Sequence, residues 1–186
     1  MPPELRPAVF LDRDGTIIEE IDYLADPDLV QLVPGAGEAI AELNRAGYYV
    51  VVATNQSGIA RGMLDEAILG EIHAVMSSEL AHAGASVDRI EFCPHHPDYD
   101  GVETERRKPG AGMLFDAAEA LGIDLAASWM IGDALRDCAA GHAAGARSIL
   151  VETGKGSREK ERLDGEADHV AADLAAAVRW LLAQGK

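Results

Sequence analysis

Residues 8–17 read AVFLDRDGTI, an apolar run that stops at two aspartates separated by one arginine. Ala8 to Leu11 has the length and continuity of a strand buried on both faces. In extended chain the period of two places the carboxylates of Asp12 and Asp14 on one side. Two adjacent carboxylates repel unless a cation or a proton separates them. A hard cation such as Mg²⁺ suits oxygen ligands and brings phosphate oxygens with it. Taken alone, the motif reads equally well as a capped turn with Asp14 and Gly15 as turn residues.

Working outward, short β-branched runs alternate with longer helical patterns. Helices are expected over 34–46, over 65–83 with Asp65 as N-cap, and over 112–121, 136–144 and 172–182. Strands are expected over 48–53, 87–92, 128–131 and 148–151, with a polar loop over 94–109. This alternation predicts one α/β domain over 1–186, a three-layer Rossmann-like parallel sheet with helices on both faces. Only about 35 residues separate the first aspartates from the next polar strand end, which ordinary element lengths use up. No separate cap domain is expected.

Composition narrows the function. Sixteen basic residues against 32 acidic ones give a net charge of −16. Nucleic acid and anionic membranes, which need a basic face, are therefore not expected partners. The segment MPPELRPAVF holds no apolar run of signal-peptide length, and Cys93 and Cys138 are too few for a disulfide framework. A monomeric cytoplasmic enzyme is expected, and an acidic chain that handles phosphate must supply positive charge locally or through a metal.

Ligands of parallel sheets sit at the carboxyl ends of the strands. The polar residues expected there are Asp12-Arg13-Asp14, Thr54-Asn55-Gln56-Ser57, and Asp133 within MIGDALRD. Lys108 lies in RRKPG, a dense basic patch in this acidic chain. Each piece is common. Their succession at consecutive strand ends is not.

FLDRDGT, TNQSG, RKP and MIGDALRD together resemble the four motifs of the haloacid dehalogenase superfamily of phosphatases, over about Val9 to Gly154. Within it, LDRDGTI, TNQSGIARG and CPHHP are similar to the branch of heptose-bisphosphate 7-phosphatases and histidinol-phosphate phosphatases. The resemblance implies Asp12 as nucleophile and Asp14 as general acid and base. It implies Mg²⁺ on the Asp12 carboxylate, the Asp14 backbone carbonyl and Asp133, with Thr54 and Lys108 stabilising the transferring phosphoryl group. Arg13, Glu20, Tyr23, Asn55, Gln56, Ser57 and Arg107 are the implied contacts to a small-molecule sugar phosphate. Asp137 is expected to orient Lys108 rather than bind metal. A signalling receiver also uses carboxylates, Mg²⁺, Thr and Lys, but draws its acids from different strands.

The chain departs from that branch in two places. Cys93 and His95 match the first half of the family's zinc loop, but Thr104 and Arg106 stand where two cysteines are expected. Structural zinc wants four soft or borderline ligands, so a structural zinc is not expected here. Ala134 stands where some heptose enzymes carry a substrate-contacting lysine, and Glu20-Ile21-Asp22-Tyr23 differs from the branch's Asp-His-Gly-Tyr.

Overall fold

The computed structural model describes residues 5–184, and the ends of the expected domain, 1–4 and 185–186, lie outside the described residues. Six parallel strands form one sheet in the order β3-β2-β1-β4-β5-β6. They are β1 Ala8–Leu11, β2 Tyr49–Asn55, β3 Arg89–Cys93, β4 Trp129–Gly132, β5 Arg147–Val151 and β6 His169–Ala171. The main helices are α1 Ala36–Arg45, α2 Glu66–His82, α4 Gly112–Leu121, α5 Leu135–Ala143 and α7 Leu174–Gln184, with short α3 Pro97–Asp100 and α6 Gly156–Lys160. The polypeptide runs outward from β1 to β3, then crosses back so that β4 lies on the other side of β1.

The period of two sorts the side chains. Val9, Leu11, Val50 and Val52 face a core built with α1, α2 and α7, whereas Ala8, Phe10, Val51 and Ala53 face a second core under α4. Both faces of the central strands are thus apolar, as a parallel sheet covered on two sides requires. The Asp65 carboxylate accepts a hydrogen bond from the Ile68 N–H at 2.9 Å and starts α2.

Four details differ from the sequence reading. Thr54 and Asn55 belong to β2 rather than following it, because they pair with Phe92 and Cys93 of β3. The edge strand β6 is three residues long, too short to show a period. The helix α6 is five residues long, and α3 falls inside the segment expected to be loop.

Candidate active site

The reversal of strand order beside β1 leaves a crevice at the strand ends, where this class of sheet binds ligands. Asp12 continues from β1, and its N–H donates to the Ile131 carbonyl of β4 at 2.9 Å. Asp133 follows β4. The two carboxylates therefore meet because β1 and β4 are neighbours, although they stand far apart in sequence. A cleft of about 220 Å³ opens at Asp12, lined as well by Arg13, Asp14, Thr54, Arg107 and Arg136 among others.

Lys108 is the buried hub of the site. Its Nζ lies 2.9 Å from Asp12 Oδ1 and 2.7 Å from Asp137 Oδ1, and all three side chains are buried. Burial alone would push the Asp12 carboxyl up, but the Lys108 ammonium and Arg136 hold it below its usual range. The same balance acts on Lys108 with opposite sign, since burial lowers it and the two aspartates raise it above its usual value. The second oxygen of Asp137 accepts the Ala134 N–H at 3.0 Å, so this carboxylate is engaged at both ends. Asp137 is thus placed to orient Lys108.

Asp12, Asp133 and Asp137 bring carboxylate oxygens within 4.8 Å of one another, the one such acidic cluster among the described residues. Asp133 is pushed up to about 8, first by burial and then by the charge of Asp12. The Lys155 N–H donates to its Oδ2 at 2.7 Å. Glycine is required on either side of this carboxylate. A Cβ on Gly15 or Gly154 would meet Asp133 Oδ2 at 2.4 or 2.3 Å, and both residues have positive φ. Repelling carboxylates closely enclosed by backbone form a donor set that suits a hard divalent cation. Asp12 and Asp133 fit that role better than Asp137, whose two oxygens are already occupied.

The structure brings the expected substrate contacts to the cleft but gives several of them other work. Arg13 is buried, and its guanidinium grips the Asp14 carboxylate at 2.8 and 3.0 Å. Gln56 Nε2 donates to Asp14 Oδ2 at 2.9 Å and to Thr54 Oγ1 at 2.8 Å. Asn55, expected to hold substrate, lines the cleft, and its amide also bonds the Lys108 backbone twice. Glu20 pairs with Lys155 at 2.7 Å. Tyr23, Ser57 and Arg107 line the cleft.

Arg61, His96, Arg136 and Lys155 also line it and were not singled out from the sequence. Arg61 and Arg136 lie inside TNQSGIARG and MIGDALRD, beside the acids and amides that mark those runs. Lys155 follows β5, and the strand-end rule applied to that strand would have reached it. On the neighbouring segment, buried Glu91 pairs with Arg106 at 2.7 Å, and Arg106 also pairs with Asp116. Cys93 is buried, and the Thr104 hydroxyl accepts the Arg106 N–H at 3.2 Å.

A family model described as HAD-hydrolase-like matches residues 105–177. The D-glycero-beta-D-manno-heptose-1,7-bisphosphate 7-phosphatase of Pseudomonas aeruginosa is 43% identical over 178 residues, covering 95% of this chain and 98% of that protein. The chain belongs to the haloacid dehalogenase-like phosphatases. A similar solved structure, the D,D-heptose 1,7-bisphosphate phosphatase of Bordetella bronchiseptica complexed with magnesium and phosphate, is 42% identical with a TM-score of 0.87. The match covers 96% of this phosphatase and 99% of that chain. The corresponding structure from Burkholderia thailandensis is 38% identical, with a TM-score of 0.73 over 95% and 99% of the two chains. No described helix of the phosphatase is long and apolar enough to cross a membrane.

Proposed function

We propose that this phosphatase removes the 7-phosphate of D-glycero-D-manno-heptose 1,7-bisphosphate, as a cytoplasmic monomer, through an aspartyl-phosphate on Asp12. The observation that carries the chemistry is the buried Asp12–Lys108–Asp137 array beside Asp133, with Asp12 reaching the cleft. Lys108 and Arg136 keep Asp12 ionised, the form in which a carboxylate attacks phosphorus. Attack forms the oxygen–phosphorus bond as the bond to the sugar oxygen breaks, and Asp14 donates a proton to that oxygen. Asp14 then takes a proton from water, which attacks the acyl phosphate and releases inorganic phosphate. Lys108 and the Thr54 hydroxyl meet charge spread over the equatorial oxygens. A magnesium ion held by Asp12, Asp133 and the Asp14 carbonyl would neutralise charge between nucleophile and phosphate.

The grip of Arg13 and Gln56 holds Asp14 in one orientation. We assign them positioning roles on that basis. The ion pairs of Arg106 support a zinc-free reading of the neighbouring segment, because a guanidinium cannot ligate zinc and here already binds two carboxylates.

The sugar end is argued from charge. Glu20 and Asp22 could welcome the amine of histidinol phosphate, yet Lys155 lies 2.7 and 3.8 Å from them. Arg107 and Arg136 remain over the cleft to meet a second anionic group. A comparison of kcat/KM for the heptose bisphosphate, fructose 1,6-bisphosphate and histidinol phosphate tests the assignment. The heptose bisphosphate is expected to lead, and a clear preference for histidinol phosphate would overturn the substrate while leaving the chemistry intact.

A further inference from the structure

The guanidinium of Arg61 is held against two aromatic rings. Its central carbon lies 4.8 Å from the ring centroid of Tyr23 and 3.8 Å from that of Tyr99. Nη1 donates to the Tyr99 hydroxyl, whereas Nε is buried and has no hydrogen-bond partner among the described residues. These contacts fix where the group lies and leave Nη2 without a hydrogen-bond partner among the described residues. The edge formed by Nε and Nη2 is the fork that matches two oxygens of a phosphate. A buried donor without a partner costs stability unless a ligand or water satisfies it.

Three strand-end segments converge on these contacts. Tyr23 follows β1, Arg61 follows β2 and Tyr99 sits on α3 after β3. Tyr23 is the one non-glycine residue with positive φ among the described residues, at 52°. Such backbone is strained for a bulky side chain and persists where its surroundings fix it, often at ligand sites.

Charge around the cleft points the same way. Arg61 and Arg107 line it without a salt bridge among the described residues, although acids outnumber bases in the chain; Arg136 lines it too, in the field of Asp137, Asp12 and Asp133. Arg107 is held below the usual guanidinium range, by burial first and also by Arg136 and Arg61. Mutually repelling cations over one cleft are stabilised by an anion placed among them.

We propose that Arg61, held by Tyr23 and Tyr99, determines specificity by binding the second, non-transferring phosphate of a bisphosphate through its Nε–Nη2 edge. The inference rests on the bisphosphate reading above and adds the residue that enforces it. The test compares kcat/KM for the heptose 1,7-bisphosphate with that for the heptose 7-phosphate, which shares the scissile group. Arg61→Lys keeps the charge but loses the fork, and Arg61→Gln loses both. Each is expected to lower the bisphosphate-to-monophosphate ratio by about tenfold to a hundredfold, as loss of a charged hydrogen bond predicts, with KM carrying the change. Tyr99→Ala, which frees the guanidinium without deleting it, is expected to move the ratio the same way by less. Thermal melting identifies any variant that has not folded, and Arg61→Lys and Tyr99→Ala then carry the test. A wild-type preference for the bisphosphate that survives both folded Arg61 variants overturns the inference and leaves the bisphosphate reading standing. Lack of that preference in the wild type overturns the reading itself.

Discussion

The carboxamide of Asn55 holds the backbone of Lys108 at both ends. Its Nδ2 donates to the Lys108 carbonyl and its Oδ1 accepts from the Lys108 N–H, each at 3.0 Å. Asn55 is the last residue of β2, and Lys108 lies in a segment between β3 and α4. The clasp fixes the base of the lysine, and Asp12 and Asp137 fix its ammonium. A flexible side chain is thereby held at both ends, which is what preorganised stabilisation of a transferring group requires.

Asn55→Ala is therefore expected to act through Lys108. Leaving its N–H and carbonyl unpaired should cost about 1–3 kcal/mol of stability. The larger effect should fall on kcat rather than KM, by about tenfold or more, because a small displacement of a catalytic group is expensive. Denaturant unfolding and steady-state kinetics on the same preparation check both. A rise in KM alone would place Asn55 in direct substrate contact instead.

Replacing Asp12 by Asn should abolish multiple-turnover phosphate release, since an amide neither attacks phosphorus nor keeps the charge that Lys108 is paired with. Asp14→Asn should slow both departure of the sugar oxygen and hydrolysis, and the aspartyl-phosphate that does form should persist, detectable by mass spectrometry after acid quench. Substantial turnover in the Asp12 variant would sink the proposed nucleophile.

Two acids of the buried cluster are expected to separate by function. Asp133→Asn should weaken Mg²⁺ binding sharply, measured by calorimetric titration, because Asp133 has an oxygen to offer. Asp137→Asn should lower kcat with a much smaller change in Mg²⁺ affinity, because both oxygens of Asp137 are taken by Lys108 and the Ala134 N–H. Equal losses of affinity in the two variants would make Asp137 a ligand. In the wild-type protein, chelation should abolish activity, and Mg²⁺ alone should restore it.

His73 supplies a pH dependence away from the acids. Its Nε2 lies 3.3 Å from Arg13 Nη1, and burial followed by the Arg13 charge lowers it to about 4 from 6.5. The folded value lies below the unfolded one. The neutral imidazole therefore contributes stability that is present above about pH 6.5 and is lost as pH falls through 4. The loss should approach at most about 3 kcal/mol. Unfolding free energies of wild type and His73→Gln between pH 7 and 4 isolate this contribution from the carboxylates, and parallel curves would dismiss it.

The sequence by itself determined the class of fold and the acids at its centre. The run ending at Asp12, the one ending at Asp133 and the alternation between them each carry local periodicity, which is legible without knowing what lies alongside. Asp65 as a helix cap is legible for the same reason, because its partner is three residues away. The tertiary structure decided which side chains touch. Asp12 meets Asp133 because β1 pairs with β4, a choice of strand order that no local pattern encodes. The extension of β2 through Thr54 and Asn55 depends on the register with β3. The work of Gln56 and Asn55 depends on partners 42 and 53 residues away, and the contacts that hold Arg61 likewise come from distant segments. A polar residue at a strand end is equally suited to touch substrate or to hold its neighbour. Only the packed arrangement, through distances and burial, selects between the two.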